Sequence, residues 1–182
     1  TAGASLNGTV AVTASATDNV AVAGVQFLLD GVNLGAEVTG AGPTYTYNWN
    51  TTTATNAPHT LSARARDSAN NTATAASVDV TVSNPDTTVP TGSLTSPSAG
   101  ATVTGIINVT VSATDNVAMG GVQFLLDGAN LGAEVTGAGP TYTYSWNTTA
   151  AINGSHILSA RARDAANNTA TTGNVNITVS NG

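Results

Sequence analysis

The chain is 182 residues long, with ten acidic against four basic residues, a net charge of −6, 8% charged and 4% aromatic residues, and no cysteine. Phosphate neutralisation needs clustered Lys and Arg, so four scattered arginines exclude nucleic acid and speak equally against an anionic membrane surface. No apolar run approaches the roughly 20 residues of a spanning helix, and disulfides and thiolate metal sites are excluded with the cysteines.

Taken in chain order, period-two alternation predicts strands throughout. Val10, Val12 and Ala14 share one face. Val25, Phe27 and Leu29 share a face of the next strand, and Asp30-Gly31 turns it back, since both residues tolerate positive φ. Leu34 to Val38 is the expected return strand. Tyr45, Tyr47 and Trp49 then alternate on one face. In the following strand Leu61, Ala63 and Ala65 are expected inside, and Ser62, Arg64 and Arg66 outside. Asn70-Asn71 reads as a turn, and Val78, Val80 and Val82 line the inner face of the last strand. Leu28 interrupts the alternation and should point outward, under a neighbouring strand or towards another module. No segment shows a helical period with caps.

The pattern then repeats. Gly24 to Gly31 recurs as Gly121 to Gly128, Trp49 as Trp146, His59 as His156, and Arg64 and Arg66 as Arg161 and Arg163, all at a constant offset of 97 residues. A period this long marks two tandem domains rather than a short-repeat solenoid. Residues 1–84 and 91–182 are the expected domains, and the two prolines of residues 85–90 make a semi-extended linker. About seven short strands per copy predict an all-β fold of two antiparallel sandwiches. The copies differ at the front. Thr91 to Pro97 has no counterpart in copy one, because Thr1 aligns with Ser98, so the first strand of domain 1 is missing.

Ala16-Thr17-Asp18-Asn19-Val20, the Gly-Val-Gln-Phe-Leu-Leu-Asp-Gly segment, the Tyr-x-Tyr-x-Trp stretch and Ala162 to Ala170 together carry a resemblance. The chain resembles the tandem bacterial immunoglobulin-like repeats of secreted and cell-surface proteins, over nearly its whole length. The resemblance implies an immunoglobulin-like sandwich, an extracellular setting and partners that are neighbouring modules or identical subunits. It is specific for fold and poor for function, because such modules serve in adhesins, surface layers and beside carbohydrate-active enzymes.

Three kinds of chemistry are weighed against structural readings. In copy two Asp115, Asn116 and Asp164 should meet at one end of the sandwich, with Asp86 from the linker beside them. Asp18, Asn19 and Asp67 are their counterparts in copy one. Clustered carboxylate and amide oxygens suit Ca²⁺, which takes 6–8 oxygen ligands, and the resemblance points the same way, since some such arrays bind calcium at their joints. Against this, Asp and Asn in such loops also cap turns by bonding local N–H groups. His59 and His156 lack a nucleophile or a second ligand in the sequence and read as structural. Tyr45, Tyr47 and Trp49 would have to be exposed to stack on a sugar, and alternation places them in the core, so a sugar ligand is not expected. Glu37 and Glu134 have no partner carboxylate for hydrolysis. The expectation is a non-catalytic spacer, stalk or adhesin-array segment at the cell surface. A filament subunit using strand complementation is the alternative, and a carbohydrate-binding accessory module the third.

Overall fold

A computed structural model describes residues 1–40 and 42–182. The chain forms two compact units, Thr1–Pro85 and Asp86–Gly182, so residues 86–90 of the expected linker go with the second. Unit 1 runs β1 (Ala4–Leu6), β2 (Thr9–Ser15), β3 (Val22–Leu29), β4 (Val32–Asn33), β5 (Val38–Thr39), β6 (Thr44–Asn50), β7 (Pro58–Asp67), β8 (Thr72–Thr74) and β9 (Val78–Val82). Unit 2 runs β10 (Thr91–Ser96), β11 (Thr102–Val103), β12 (Ile106–Thr114), β13 (Met119–Leu126), β14 (Ala129–Asn130), β15 (Val135–Thr136), β16 (Thr141–Asn147), β17 (Gly154–Asp164), β18 (Thr169–Thr171) and β19 (Val175–Val179).

Each unit is a two-sheet sandwich. One sheet has the order β1-β9-β7-β3-β4 in unit 1 and β11-β19-β17-β13-β14 in unit 2, with β5 and β8, or β15 and β18, alongside. The facing sheet is β2-β6 in unit 1 and β10-β12-β16 in unit 2. Pairing is antiparallel except for β1 with β9 and β11 with β19, which are parallel. After β6 and β16, Asn50 and Asn147 accept from Thr52 N and Thr149 N and start short 3₁₀ turns.

The Asp30-Gly31 turn is as expected: both residues have positive φ, and Leu29 pairs with Val32. The return strand is not. β4 and β5 are two short pieces, and residues 34–37 leave the sheet. The reason lies at Gly35, where φ is +68° and a Cβ would enter the ring of Tyr47. Only glycine lets the chain bend there under the tyrosine. Leu28 and Leu125 are not surface residues: they are buried, although they belong to none of the core clusters. Arg66 is half-buried rather than outside, because it is drawn onto Glu37.

The two cores differ. In unit 2 a single cluster runs from Val103 through Val109, Phe124 and Trp146 to Val179, with Leu94 of β10 packed against it. In unit 1 the matching residues fall into two clusters, Trp49/Leu61/Val80/Val82 and Val25/Phe27/Tyr45. Val78, expected inside, is 39% exposed. The sheet that faces it has two strands, β2 and β6, where that of unit 2 has three.

Candidate cation site and the module ends

The loop after β12 is shaped by Asp115. Its Oδ2 accepts from Val117 N at 2.9 Å and Ala118 N at 3.3 Å, the local turn expected of aspartate. Its Oδ1 is buried and has no hydrogen-bond partner. Asp164 ends β17 and is 0% exposed. It accepts from Asn168 N at 2.8 Å and Asn168 Nδ2 at 2.7 Å, across a turn in which Asn167 takes φ +71°. Asp86 is the third member. Its carbonyl accepts from Asn168 Nδ2 at 3.1 Å, and its Oδ1 accepts from Thr88 N at 3.0 Å.

One carboxylate oxygen from each of Asp86, Asp115 and Asp164 lies within 4.8 Å of the others. At an effective dielectric of about 20, each such pair of charges repels by about 3–4 kcal/mol. The donor set is all oxygen, which suits a hard divalent cation, and the orphaned Asp115 Oδ1 is an acceptor with nothing to accept from. Asn116 turns its amide Nδ2 to Asp86 Oδ1 at 3.4 Å, so it presents a donor rather than an oxygen.

Unit 1 repeats the turns without the convergence. Asp18 Oδ2 accepts from Val20 N at 2.7 Å and Ala21 N at 3.2 Å. Asp67 accepts from Ala69 N, Asn71 N and Asn71 Nδ2, and the Asn71 bonds hold its carboxyl below the usual range. Asn19 is exposed beside Asp18. No third carboxylate joins Asp18 and Asp67 among the described residues.

The histidines close a different corner. His59 Nδ1 is 2.6 Å from Asp30 Oδ2, and His59 Nε2 is 2.9 Å from Thr55 O. A carboxylate and a carbonyl can only accept, so this geometry favours the charged ring, in which both nitrogens donate. Asp30, then Thr55 O, raises the His59 pKa, while His59, then Thr60 N, lowers that of Asp30. His156, Asp127 and Ile152 O repeat this at 2.6 and 2.7 Å. Each histidine therefore clamps its Asp-Gly turn and leaves neither nitrogen free as a base.

Asn84 and Asn181, near the ends of the two expected domains, were assigned no role by their local sequence. Asn84 Nδ2 donates to Thr51 O at 3.1 Å, and its Oδ1 accepts from Gly8 N at 3.1 Å and Thr51 Oγ1 at 2.8 Å. Asn84 N and O bond the side chain of Asn56 at 2.7 and 2.9 Å. Asn181 repeats all five bonds on Thr148, Gly105 and Asn153. Recurrence of Asn at the 97-residue offset was the available signal.

The remaining expectations resolve by burial and pairing. Tyr45, Trp49, Tyr142 and Trp146 are buried and form no stacking platform. Glu37 and Glu134 are held by two-point contacts from Arg66 and Arg163 at 2.9–3.1 Å.

The bacterial Ig domain profile matches residues 1–63 and 90–160, one stretch in each unit. The chain belongs to the bacterial Ig domain family. Such domains occur in bacterial surface and extracellular proteins, and no helix among the described residues is long and apolar enough to cross a membrane. No curated protein matches this sequence. Among solved structures, the chain is similar to the fibronectin(III)-like modules of CbhA from Clostridium thermocellum, with 24% identity over 99% of this chain and 90% of that one, at a TM-score of 0.45. An endo-beta-1,4-mannanase from Thermotoga petrophila is 17% identical over 53% of this chain and 21% of its own, at 0.45. A 1.5-MDa bacterial ice-binding adhesin is 19% identical over 96% of this chain and 59% of its own, at 0.42.

Proposed function

We propose that these two bacterial Ig modules are a non-catalytic spacer, a stalk or adhesin-array segment of an extracellular bacterial protein. One observation carries the reading: Asn84 is tied to unit 1 by bonds to Thr51, Gly8 and Asn56, Asp86 is tied to unit 2 through Asn168, and only Pro85 stands between them. Two anchored residues around a proline leave few free dihedrals. A connection this short transmits force from one module to the next and holds a distal domain away from the surface. NMR relaxation tests it. Backbone order parameters of Asn84 and Asp86 should match those of the adjoining strands, and inserting Gly-Gly after Pro85 should lower them. Low order parameters at both residues in the unaltered chain would overturn the reading.

The same reading assigns Ca²⁺ to Asp86, Asp115 and Asp164. The cation would offset three carboxylate charges, give Asp115 Oδ1 a partner and fix where the second module begins. Millimolar Ca²⁺ should raise the melting temperature of unit 2 and leave that of unit 1 unmoved. No shift of unit 2 would remove the site. With Tyr45, Trp49, Tyr142 and Trp146 buried, the stacking platform that a sugar-binding role needs loses support.

A further inference from the structure

All four arginines of the protein, which has no lysine, lie in two matching places. Arg64 and Arg66 line a depression of about 210 Å³ in unit 1, with Gln26, Glu37 and Thr72. Arg161 and Arg163 line one of about 350 Å³ in unit 2, with Gln123, Glu134 and Thr169, the same five residues 97 positions on. The histidine rings are already held by Asp30 and Asp127. On a chain of net charge −6, these two depressions therefore hold the side-chain positive charge that an anion can reach.

A glycine makes room for each depression. Val25 and Phe27 face the core, so Gln26 and Gly24 lie on the other face of β3, opposite Arg64 and Arg66 of β7. The Glu37 carboxylate fills the place that a side chain at Gly24 would need: a Cβ there would lie 2.6 Å from Glu37 Oε1. From that place Glu37 accepts from Arg66 Nε and Nη2, both at 3.1 Å, while Asn70 Oδ1 accepts from Arg66 Nη1 at 2.9 Å. Arg66 is thus fully engaged. Gln26 is 8% exposed, and its Nε2 donates to Phe27 O at 2.8 Å and Gly35 O at 3.1 Å. Its Oε1 accepts no bond from the described residues, and Arg64 opposite makes no hydrogen bond or ion pair with them. Unit 2 repeats every part. Gln123 is 7% exposed and bonded through Nε2 to Phe124 O and Gly132 O, Arg163 is engaged by Glu134 and Asn167, and Arg161 is unengaged among the described residues.

Arg66 and Glu37 cancel, so the site keeps one positive charge, on Arg64. A guanidinium fork fits a carboxylate at two points. The neighbouring Gln26 Oε1 is an acceptor on a side chain more than nine-tenths buried, and it calls for a donor. A phosphate or sulfate, made of acceptors, would leave it unmet. Thr72 lines the same space with a hydroxyl that can give or take a bond. We propose that each module binds a small polyhydroxy monocarboxylate, with the carboxylate on Arg64 or Arg161, one hydroxyl donating to Oε1 of Gln26 or Gln123, and another reaching Thr72 or Thr169. The glutamate–arginine pair beside it fixes one wall and adds no net charge. The site gives the spacer a ligand, and it depends neither on the connection at Pro85 nor on the cation.

The test is an NMR titration of the full chain in EDTA, which keeps it separate from the cation reading. Gluconate is the probe, glucitol supplies the hydroxyls without the carboxylate, and acetate the carboxylate without the hydroxyls. Gluconate should shift the Arg64 and Arg161 Nε–H signals and the side-chain amides of Gln26 and Gln123, saturably and at both sites. It should bind about tenfold more tightly than glucitol, acetate or inorganic phosphate, the effect of losing one hydrogen bond to a charged or buried group. Arg64→Gln should abolish the response of unit 1 and leave that of unit 2, and Arg161→Gln should do the reverse. Arg64→Lys, which keeps the charge without the fork, should weaken unit 1 binding about tenfold. Unmoved arginine and glutamine signals, equal binding of gluconate and any of the three control compounds, or a unit 1 response that survives Arg64→Gln would each overturn the proposal.

Discussion

His59 Nδ1 donates to Asp30 Oδ2 at 2.6 Å, and His156 repeats the bond to Asp127 at the same distance. The bond joins the Asp-Gly turn after β3 to the start of β7, and the corresponding turn and strand in unit 2. Because the second ring nitrogen faces a carbonyl, the charged ring is the form that the fold prefers.

That preference sets a pH dependence. The histidine pKa is raised in the folded state, so its contribution is complete below the unfolded value of about 6.5 and is lost as pH rises through the folded value. The aspartate pKa is lowered, so its contribution is present above the unfolded value and is lost as pH falls through the folded one. Melting temperature should therefore drop by a few degrees between neutral and alkaline pH, measured by calorimetry. The His59→Ala, His156→Ala double variant should show no such drop.

Replacing Asp115 by Asn should act with opposite signs in two buffers. In EDTA it removes one of three crowded charges and places an N–H₂ where Oδ1 has no partner, so unit 2 should melt higher than in the parent. In calcium it removes a ligand, so the parent's gain should be lost. A variant that melts alike in both buffers while the parent does not is the expected outcome of paired thermal scans.

Asn84→Ala should cost unit 1 about 1–3 kcal/mol, since it removes the bonds to Thr51 Oγ1 and Thr51 O and leaves Gly8 N without its acceptor. Urea unfolding would show the midpoint of unit 1 shifted and that of unit 2 retained. Asn181→Ala should do the reverse.

Gly35→Ala should cost more, about 2–4 kcal/mol, because it combines a left-handed backbone with a clash into Tyr47. Gly132→Ala against Tyr144 should match it in unit 2. By contrast Gly31→Ala, also at positive φ but in open space, should cost only the backbone part of about 1 kcal/mol. Denaturant midpoints of the three variants would separate strain from collision.

The repeat offset, the strand alternation and the Asp-Gly turns were legible in the sequence, because a two-residue period and a turn's φ demand are local properties of the chain. So was the list of acids: four per copy recur in register, leaving Asp79 and Asp86 unmatched. What became of those acids was not legible. Asp67 and Asp164 occupy the same repeat position and accept the same two bonds from the asparagine four residues on, yet only Asp164 is fully buried and belongs to a cluster of three carboxylates. Glu37, which lacked a partner in sequence, is bound by Arg66, 29 residues away, because residues 34–37 leave the sheet at Gly35. The sequence by itself determined two all-β copies, since side-chain periodicity and turn chemistry act over a few residues. Tertiary structure decided which copy has a closed core and a converged acid cluster, since a single segment, Asp86 to Ser96, brings both the aspartate and the leucine across the sandwich to residues distant in sequence.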